Sequence, residues 1–360
     1  MAHLSAYSYT LLCTKRGQEH FGRGSKDGVL ICLAEGENVI GVGEYAPLAG
    51  IHHDTMDDLV AKTHKLKPSD LAFLCSLPPG VTTDDMTEIF APMSGSLGHV
   101  LSMAHFHSQQ KARPCDDLPL SIKLSALIEA WPKNIAVEQA QQHLAQGFTC
   151  LKIKVGRFTV ADEIDKIKTI AAIGGNRLTL RLDGNKRMTL DSARTLLNGI
   201  KRVKLEYFEE PTMDFADAKH LHEEFGIDIA IDESLVGVED YNWVKFIIVK
   251  PSRFGSIYQV MKLAERAHSL GKTVIFSHCF ESDYSAAIYA LMINHLGLND
   301  HAHGILAVGF FRYGIFREPL RSFRGTLPLK TCREAITTRF WDDAIGESRN
   351  GERGSKQMEF

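Results

Sequence analysis

The chain has 360 residues, 44% of them hydrophobic and 24% charged, an ordinary globular composition at a length beyond one average domain. A net charge of −3 leaves no basic footprint for nucleic acid or anionic lipid, and no apolar run approaches the ~18 residues of a membrane span. The seven cysteines are scattered without CxxC spacing, and MAHLSAYSYTLLCTKRG lacks a signal peptide's basic-then-apolar order, so a cytoplasmic protein with reduced thiols is expected.

In chain order, residues 7–13, 28–34 (GVLICLA) and 38–47 (NVIGVGEYAP) read as strands, and the pattern turns helical around 55–65 and 95–110. Strands first and helices after describe an α+β segment, assigned to residues 1–115. From Pro119 the rhythm changes. SIKLSALI, CLKIKV, LTLRLD (178–183), LEYFEE (205–210), IDIAID (227–232), KFIIVK (245–250) and TVIFS (273–277) read as strands, with helical patterns between them. ADEIDKIKTIAAIGG carries Ile164, Ile167 and Ala171 on one stripe and ends in Gly174-Gly175. TLDSARTLLNG starts at the N-cap candidate Thr189, and SIYQVMKLAERAHSLG carries Ile257, Val260, Met261, Ala264 and Ala267. Such repeated strand–helix steps imply βαβ units and a parallel sheet. Their number favours a closed α/β barrel of the TIM type over residues 116–316, and no Gly-rich phosphate loop supports an open dinucleotide-binding sheet. The tail, 317–360, is expected to pack back on the first segment.

The C-terminal ends of these strands carry charge. They end in Lys152 and Lys154, in Asp183, in Glu209 and Glu210, in Asp232 and Glu233, in Lys250, and in Ser277 and His278. Any one of these side chains could simply solvate a strand end. Six consecutive strands doing so in step point instead to the barrel rim where active sites are built. Three converging carboxylates repel unless a cation holds them, and oxygen ligands from Asp183, Glu209 and Asp232 suit Mg²⁺ or Mn²⁺ rather than zinc. A lysine beside such a metal in a dry site has its pKa lowered from ~10.4 toward ~7–8, where it serves as a general base. The residues therefore predict removal of a proton α to a carboxylate, from a small carboxylate substrate. Lys–Mg²⁺ sites of this kind are a general pattern for ene-diolate chemistry.

The motifs resemble those of the muconate-lactonizing-enzyme subgroup of the enolase superfamily. KIK at 152–154 looks like its KxK; LRLDGN around Asp183, FEEP at 208–211 and IDES at 231–234 look like its three metal-ligand motifs, and VKP at 249–251 like its sixth-strand lysine motif. GVGEYAPLAG (41–50) and FESDYSA (280–286) are similar to runs of the o-succinylbenzoate synthases within that subgroup. The resemblance implies a modified (β/α)₇β barrel closed over by a cap made of the N-terminal segment and the tail. It implies Mg²⁺-dependent syn-dehydration of 2-succinyl-6-hydroxy-2,4-cyclohexadiene-1-carboxylate to 2-succinylbenzoate, through an enediolate, in menaquinone biosynthesis. Lys154 would be the base, and Lys250 would face it with a cation–π contact to the ring. Lys152 would hold Lys154 in place and lower its pKa, while Arg181 and Asn185 would support the metal shell. Ser277, Glu281 and Ser282 would serve the substrate or the second layer around it. His278, Asp283 and Tyr284 add bulk where the family touches the substrate side chain.

Racemisation or epimerisation of an N-acyl amino acid or dipeptide, with Lys154 and Lys250 as paired bases, needs the same five residues. HAHGILAVG (301–309) lacks the acidic pair expected of a dipeptide epimerase. A non-catalytic barrel would show a lost ligand or lysine, and none is lost. Monomer and homo-oligomer both stay open. Among weaker signals, Glu210 and Glu233 are expected on the opposite strand face in structural ion pairs. His105/His107 and His301/His303 have same-face strand spacing but read as packing histidines rather than a zinc site. His52-His53 read as solvated loop residues near the mouth, and the 15–25 segment KRGQEHFGRGS as a mobile loop of lid type.

Overall fold

The computed structural model describes residues 1–78, 82–93, 95–111, 121–237, 241–337 and 356–358. The expected boundary between residues 115 and 116, with Cys115 beside it, lies outside them, as does most of the tail beyond residue 337.

The chain opens with β1 (Ala2–Leu12), α1 (Lys15–Phe21), β2 (Ser25–Glu35) and β3 (Asn38–Tyr45). The three strands form an antiparallel sheet, extended at its β1 edge by a strand from the tail. The 15–25 segment, expected as a loop, contains a two-turn helix because the Thr14 hydroxyl accepts from Gly17 N and Gly22 closes the far end at φ 65°. Four helices follow: α2 (Met56–Thr63), α3 (Pro68–Ser76), α4 (Thr83–Phe90) and α5 (Gly95–Lys111). α3 and α4 are short, and each buries only two side chains, too few to set a visible period. α5 is buried along most of its length. His105 and His107 therefore lie on a helix rather than a strand, and their Nδ1 atoms meet Tyr258 OH at 2.7 Å and Tyr284 OH at 2.8 Å.

SIKLSALI is two strands, β4 (Ser121–Lys123) and β5 (Ala126–Ile128). The barrel continues through α6 (Lys133–Ala145), β6 (Cys150–Lys154), α7 (Val160–Gly174), β7 (Thr179–Asp183), α8 (Leu190–Gly199), β8 (Leu205–Glu209) and α9 (Phe215–Phe225). It ends with β9 (Ile229–Ile231), β10 (Phe246–Val249), α10 (Ile257–Ser269), β11 (Thr273–Phe276) and α11 (Asp283–His295). Strands β5 to β11 form one parallel sheet in chain order. Residues 303–304 close it as a residual eighth strand. Gly304 N donates to Phe276 O (2.8 Å) on one side, and Ser125 N to His303 O (2.9 Å) on the other. The His303 ring adds what so short a strand lacks: Nδ1 accepts from Phe276 N (3.0 Å) and Nε2 donates to Leu298 O (2.8 Å). Burial holds this imidazole neutral, with its pKa pushed down to about 3. The architecture is the expected (β/α)₇β barrel with a separate antiparallel sheet.

After the barrel, β12 (Thr326–Pro328) pairs with β4, and α12 (Leu329–Thr337) reaches α5, where Arg333 Nη2 donates to Gln110 Oε1 (3.2 Å). β13 (Lys356–Met358) pairs with β1 of the first segment. No helix among the described residues is long and apolar enough to cross a membrane.

Strand alternation decides what fills the barrel. Leu151 and Ile153 of β6 are buried against the helices, so Lys152 and Lys154 point inward. Register then builds layers: Lys152, Arg181 and Tyr207 align across β6–β8, and one pleat nearer the rim Lys154, Asp183 and Glu209 align. Outside the barrel, α5 lies so close to β3 that a Cβ at Gly43 would overlap the Val100 carbonyl, and one at Gly41 the Ala104 carbonyl. Gly43→Ala is expected to destabilise the fold by about 1–3 kcal/mol through overpacking, read as a lower midpoint of chemical denaturation.

Candidate active site

A cavity of about 230 Å³ opens at the C-terminal ends of the barrel strands. Lys152, Lys154, Asn185 and Lys250 line its barrel side; His20, Leu48 and Ile51 reach it from the first segment. Phe280, Phe310, Leu306 and Val308 make an apolar wall. His20 packs on Phe280 with ring centres 4.5 Å apart and is held by Glu129 at 2.8 Å. The 15–25 segment thus meets the cavity through α1.

Under the lysines lie three carboxylates: Asp183, Glu209 and Asp232 are 1%, 0% and 2% exposed. Lys152 and Lys154 both reach Asp183 Oδ2, at 2.9 and 2.6 Å. Lys152 also donates to both oxygens of Glu209 at 3.1 Å. Lys250 donates to Asp232 Oδ2, and Arg253 Nη1 to Asp232 Oδ1 at 3.0 Å. The expected acids and lysines therefore come together along five adjacent strand ends, joined by Arg253, three residues past Lys250 and absent from the sequence reading.

Electrostatics follows from burial. For Lys152, burial opposes the charged form, but the charges of Asp183 and Glu209 outweigh it and raise the pKa well above normal. Lys250 is likewise raised, with Asp232 overcoming burial. Lys152 is thus committed to the acids and held beside Lys154 through a shared oxygen rather than by direct contact. Glu209 moves up from its ordinary value, driven by burial and then by the adjacent Asp183 charge, against the attraction of Lys152. Crowded, buried carboxylates with all-oxygen donors fit a hard divalent cation. Each is turned to a cation of the protein here, and the three do not present one oxygen apiece within 4.8 Å of the other two.

Asn185 stands as expected beside the acids. In left-handed backbone at φ 42°, it accepts from Lys154 Nζ on Oδ1 (2.5 Å) and its N–H meets Asp183 Oδ1 (3.1 Å). Its Nδ2 donates to Glu233 Oε1 (3.2 Å), so Glu233 belongs to the cavity lining, contrary to expectation. A one-turn helix, Glu233–Val236, begins after Asp232 and breaks the strand alternation on which that expectation rested. Glu210, by contrast, is structural: it accepts from Asp232 N (2.9 Å) and Ser234 N (2.8 Å), which fixes Asp232 in place.

Arg181 does not support the carboxylates. It lies in the layer beneath them, bonded to Glu206 Oε2 (2.5 Å) and Ala302 O (2.8 Å) and packed 4.9 Å over the Tyr207 ring. Ser277 lines the cavity next to the barrel closure, and so does His278. The His278 Nδ1 accepts from Phe280 N (2.9 Å), and burial and the nearby lysines Lys152 and Lys250 lower its pKa to about 3. Glu281 and Ser282 turn away from the cavity. Ser282 caps α11 and binds Glu44 of β3 through N (2.8 Å) and Oγ (2.7 Å); Glu281 accepts from Cys279 N (2.6 Å) and Ser252 Oγ (2.6 Å). Asp283 and Tyr284 are buried in the first turn of α11, where Asp283 accepts from Ile315 N (2.8 Å) and Tyr284 donates to Val42 O (2.6 Å), so neither lines the cavity. Glu44, a fully buried acid inside GVGEYAP, and Ser252 also escaped the sequence reading; an acid inside an otherwise apolar strand end was the available signal. His52 is not a solvated loop residue, since its Nε2 meets Ser252 Oγ at 2.9 Å. His301 pairs with Glu206 at 3.1 Å, which together with the His303 contacts leaves no zinc site at that pair.

Residues 136–332, more than half of the chain, match the family model "Enolase C-terminal domain-like". The chain is 29% identical over 268 residues to an o-succinylbenzoate synthase of Yersinia pseudotuberculosis, covering 72% of this chain and 75% of that one. It is 25% identical over 391 residues to protein PHYLLO, chloroplastic, of Arabidopsis thaliana; that match takes in 92% of this chain and only 23% of the much longer relative. Among solved structures, MenC from Desulfotalea psychrophila superposes with a TM-score of 0.72 at 20% identity over 91% of this chain and 99% of that one. The L-Ala-D/L-Glu epimerase from Bacillus subtilis gives 0.73 at 19% identity over 91% and 95%. With its barrel, its sheet domain and this match, the chain belongs to the enolase superfamily.

Proposed function

We propose that this chain is a Mg²⁺-dependent o-succinylbenzoate synthase acting in the cytoplasm, with the N-terminal segment and the tail as its cap. The observation that carries the reading is the ordered arc Lys152/Lys154–Asp183–Glu209–Asp232–Lys250 around one cavity, all from adjacent strand ends. The similarity to o-succinylbenzoate synthases of Yersinia supports the specific reaction.

Asp183, Glu209 and Asp232 would hold the cation, which when bound supplies electrophilic stabilisation to the substrate carboxylate as the α-proton leaves. Lys154, aligned by Asp183 and Asn185, takes that proton in its neutral form. Its new N–H then protonates the hydroxyl leaving from the same face, water departs, and Lys154 returns to its starting state. Lys250, held by Asp232, keeps a positive charge at the other side of the arc. Phe280, Phe310 and Val308 exclude water and receive the flat ring.

The cyclohexadiene substrate with Mg²⁺ is expected to aromatise, followed by ultraviolet absorbance. Silence there, together with α-deuterium exchange in N-acyl amino acids or dipeptides, would transfer the arc to a racemase or epimerase using Lys154 and Lys250 as opposed bases. Lys154→Ala should abolish turnover while circular dichroism keeps the folded signature of the parent, since Lys152 still pairs with Asp183; a folded, active variant refutes the role of the base. Mg²⁺ or Mn²⁺ added to chelator-treated protein should raise the melting temperature, by linkage worth about 2.7 kcal/mol at a hundredfold excess over Kd. Asp183→Asn and Glu209→Gln should each remove that rise.

A further inference from the structure

Behind the Lys250 side of the cavity, three elements meet at one hydroxyl. His52 comes from the turn after β3, Ser252 from the turn after β10, and Cys279 and Glu281 from the loop after β11. The ligand-type atoms of His52, Cys279 and Glu281 all lie within 4.8 Å of one another, and the Ser252 hydroxyl bonds into that group.

The direction of each hydrogen bond is forced. Leu48 N–H points at His52 Nδ1 (3.0 Å), so Nδ1 accepts and Nε2 carries the proton. Nε2–H therefore donates to Ser252 Oγ (2.9 Å), and the single hydroxyl hydrogen of Ser252 goes on to Glu281 Oε1 (2.6 Å). Glu281 is fixed in turn by Cys279 N on Oε2 (2.6 Å). Burial holds the His52 ring neutral, as this order of donors requires.

The two ends of this relay matter to the cavity. The turn 48–52 is closed by its own bonds, with Ile51 N and His52 N both donating to Leu48 O, and it presents Leu48 and Ile51 to the cavity. Ser252 lies between Lys250 and Arg253, the two cations that hold Asp232.

We propose that Ser252 is a positioning residue: its hydroxyl locks the 48–52 turn of the first segment to the turn carrying Lys250 and Arg253, so that placement of the cavity roof and of Asp232 are coupled. The kinetic part rests on the synthase reading above; the coupling itself does not.

The test is a double-mutant cycle with His52→Ala, Ser252→Ala and the pair, read by hydrogen-exchange mass spectrometry over residues 46–55. Each single variant should speed exchange there about tenfold, since loss of Ser252 leaves the His52 N–H unpaired and loss of His52 releases the turn. The double variant should be no faster than His52→Ala, which also loses the Leu48 N–H bond to Nδ1, because Ser252 acts on the turn through His52. In the aromatisation assay, KM should rise in the singles and the double by a similar factor, with a smaller fall in kcat. Unchanged exchange at 46–55 in His52→Ala overturns the proposal even if Ser252→Ala fails to fold. Multiplying, independent effects in the double variant overturn it as well. If the parent protein does not turn over the cyclohexadiene, the synthase reading fails, and the exchange cycle still decides the coupling.

Discussion

The rest of the site depends on how three buried carboxyl groups are paired with cations at one end of a barrel. A carboxylate taken out of water costs several kcal/mol unless it is paired, and leaving one partner of such a pair alone costs about 3–5 kcal/mol. Asp183, Glu209 and Asp232 meet that requirement with Lys152, Lys154, Lys250 and Arg253, every pair joining neighbouring or near-neighbouring strands. The pairs act as staples across the sheet while the three lysines face the cavity. Stability and chemistry therefore draw on one set of charges. The conflict is visible at Glu209, whose pKa rises because burial and the charges of Asp183 and Asp232 act together against Lys152 and Lys154.

A second constraint sets the first segment over the barrel. Glu44, fully buried at the end of β3, accepts from the backbone and hydroxyls of both Ser282 and Ser285 at the start of α11, and from Tyr9 OH. A carboxylate at a helix N-terminus is favoured by the unsatisfied N–H groups and by the helix dipole. Lys26, also fully buried, donates to Ala46 O and stands in the field of Glu44 and Glu281. Ser282, Tyr284 and Ser285 of the FESDYSA run therefore dock the sheet domain, while Asp283 accepts from Ile315 N and Leu320 N and Phe280 faces the cavity.

Legibility of the sequence tracked the range of the interactions involved. The βαβ rhythm, the inward lysines of CLKIKV and the ordered acids were readable because strand alternation is local and each acid ends a run of apolar residues. Glu233 was misplaced because the chain leaves the strand directly after Asp232, and alternation no longer applies. Arg181 was misplaced because period two gives the face but not the depth: it shares a face with Asp183 and lies one layer lower. The helix read around 95–110 is α5, so the strand spacing assigned to His105 and His107 conflicts with the helical pattern of their own segment.

By itself, the sequence determined the barrel, the identity of the acids and lysines, and the order in which they meet, because these follow from alternation and from which residue ends each strand. The tertiary structure alone decided which charges pair, which acids face the cavity and which brace it, and how the first segment is tied to the barrel. Those outcomes depend on contacts such as Glu44 with Ser282, Arg253 with Asp232 and His52 with Ser252, whose partners are far apart in the chain. No local pattern encodes a hydrogen bond between residues 52 and 252; only the closing of the sheet domain onto the barrel brings them within reach.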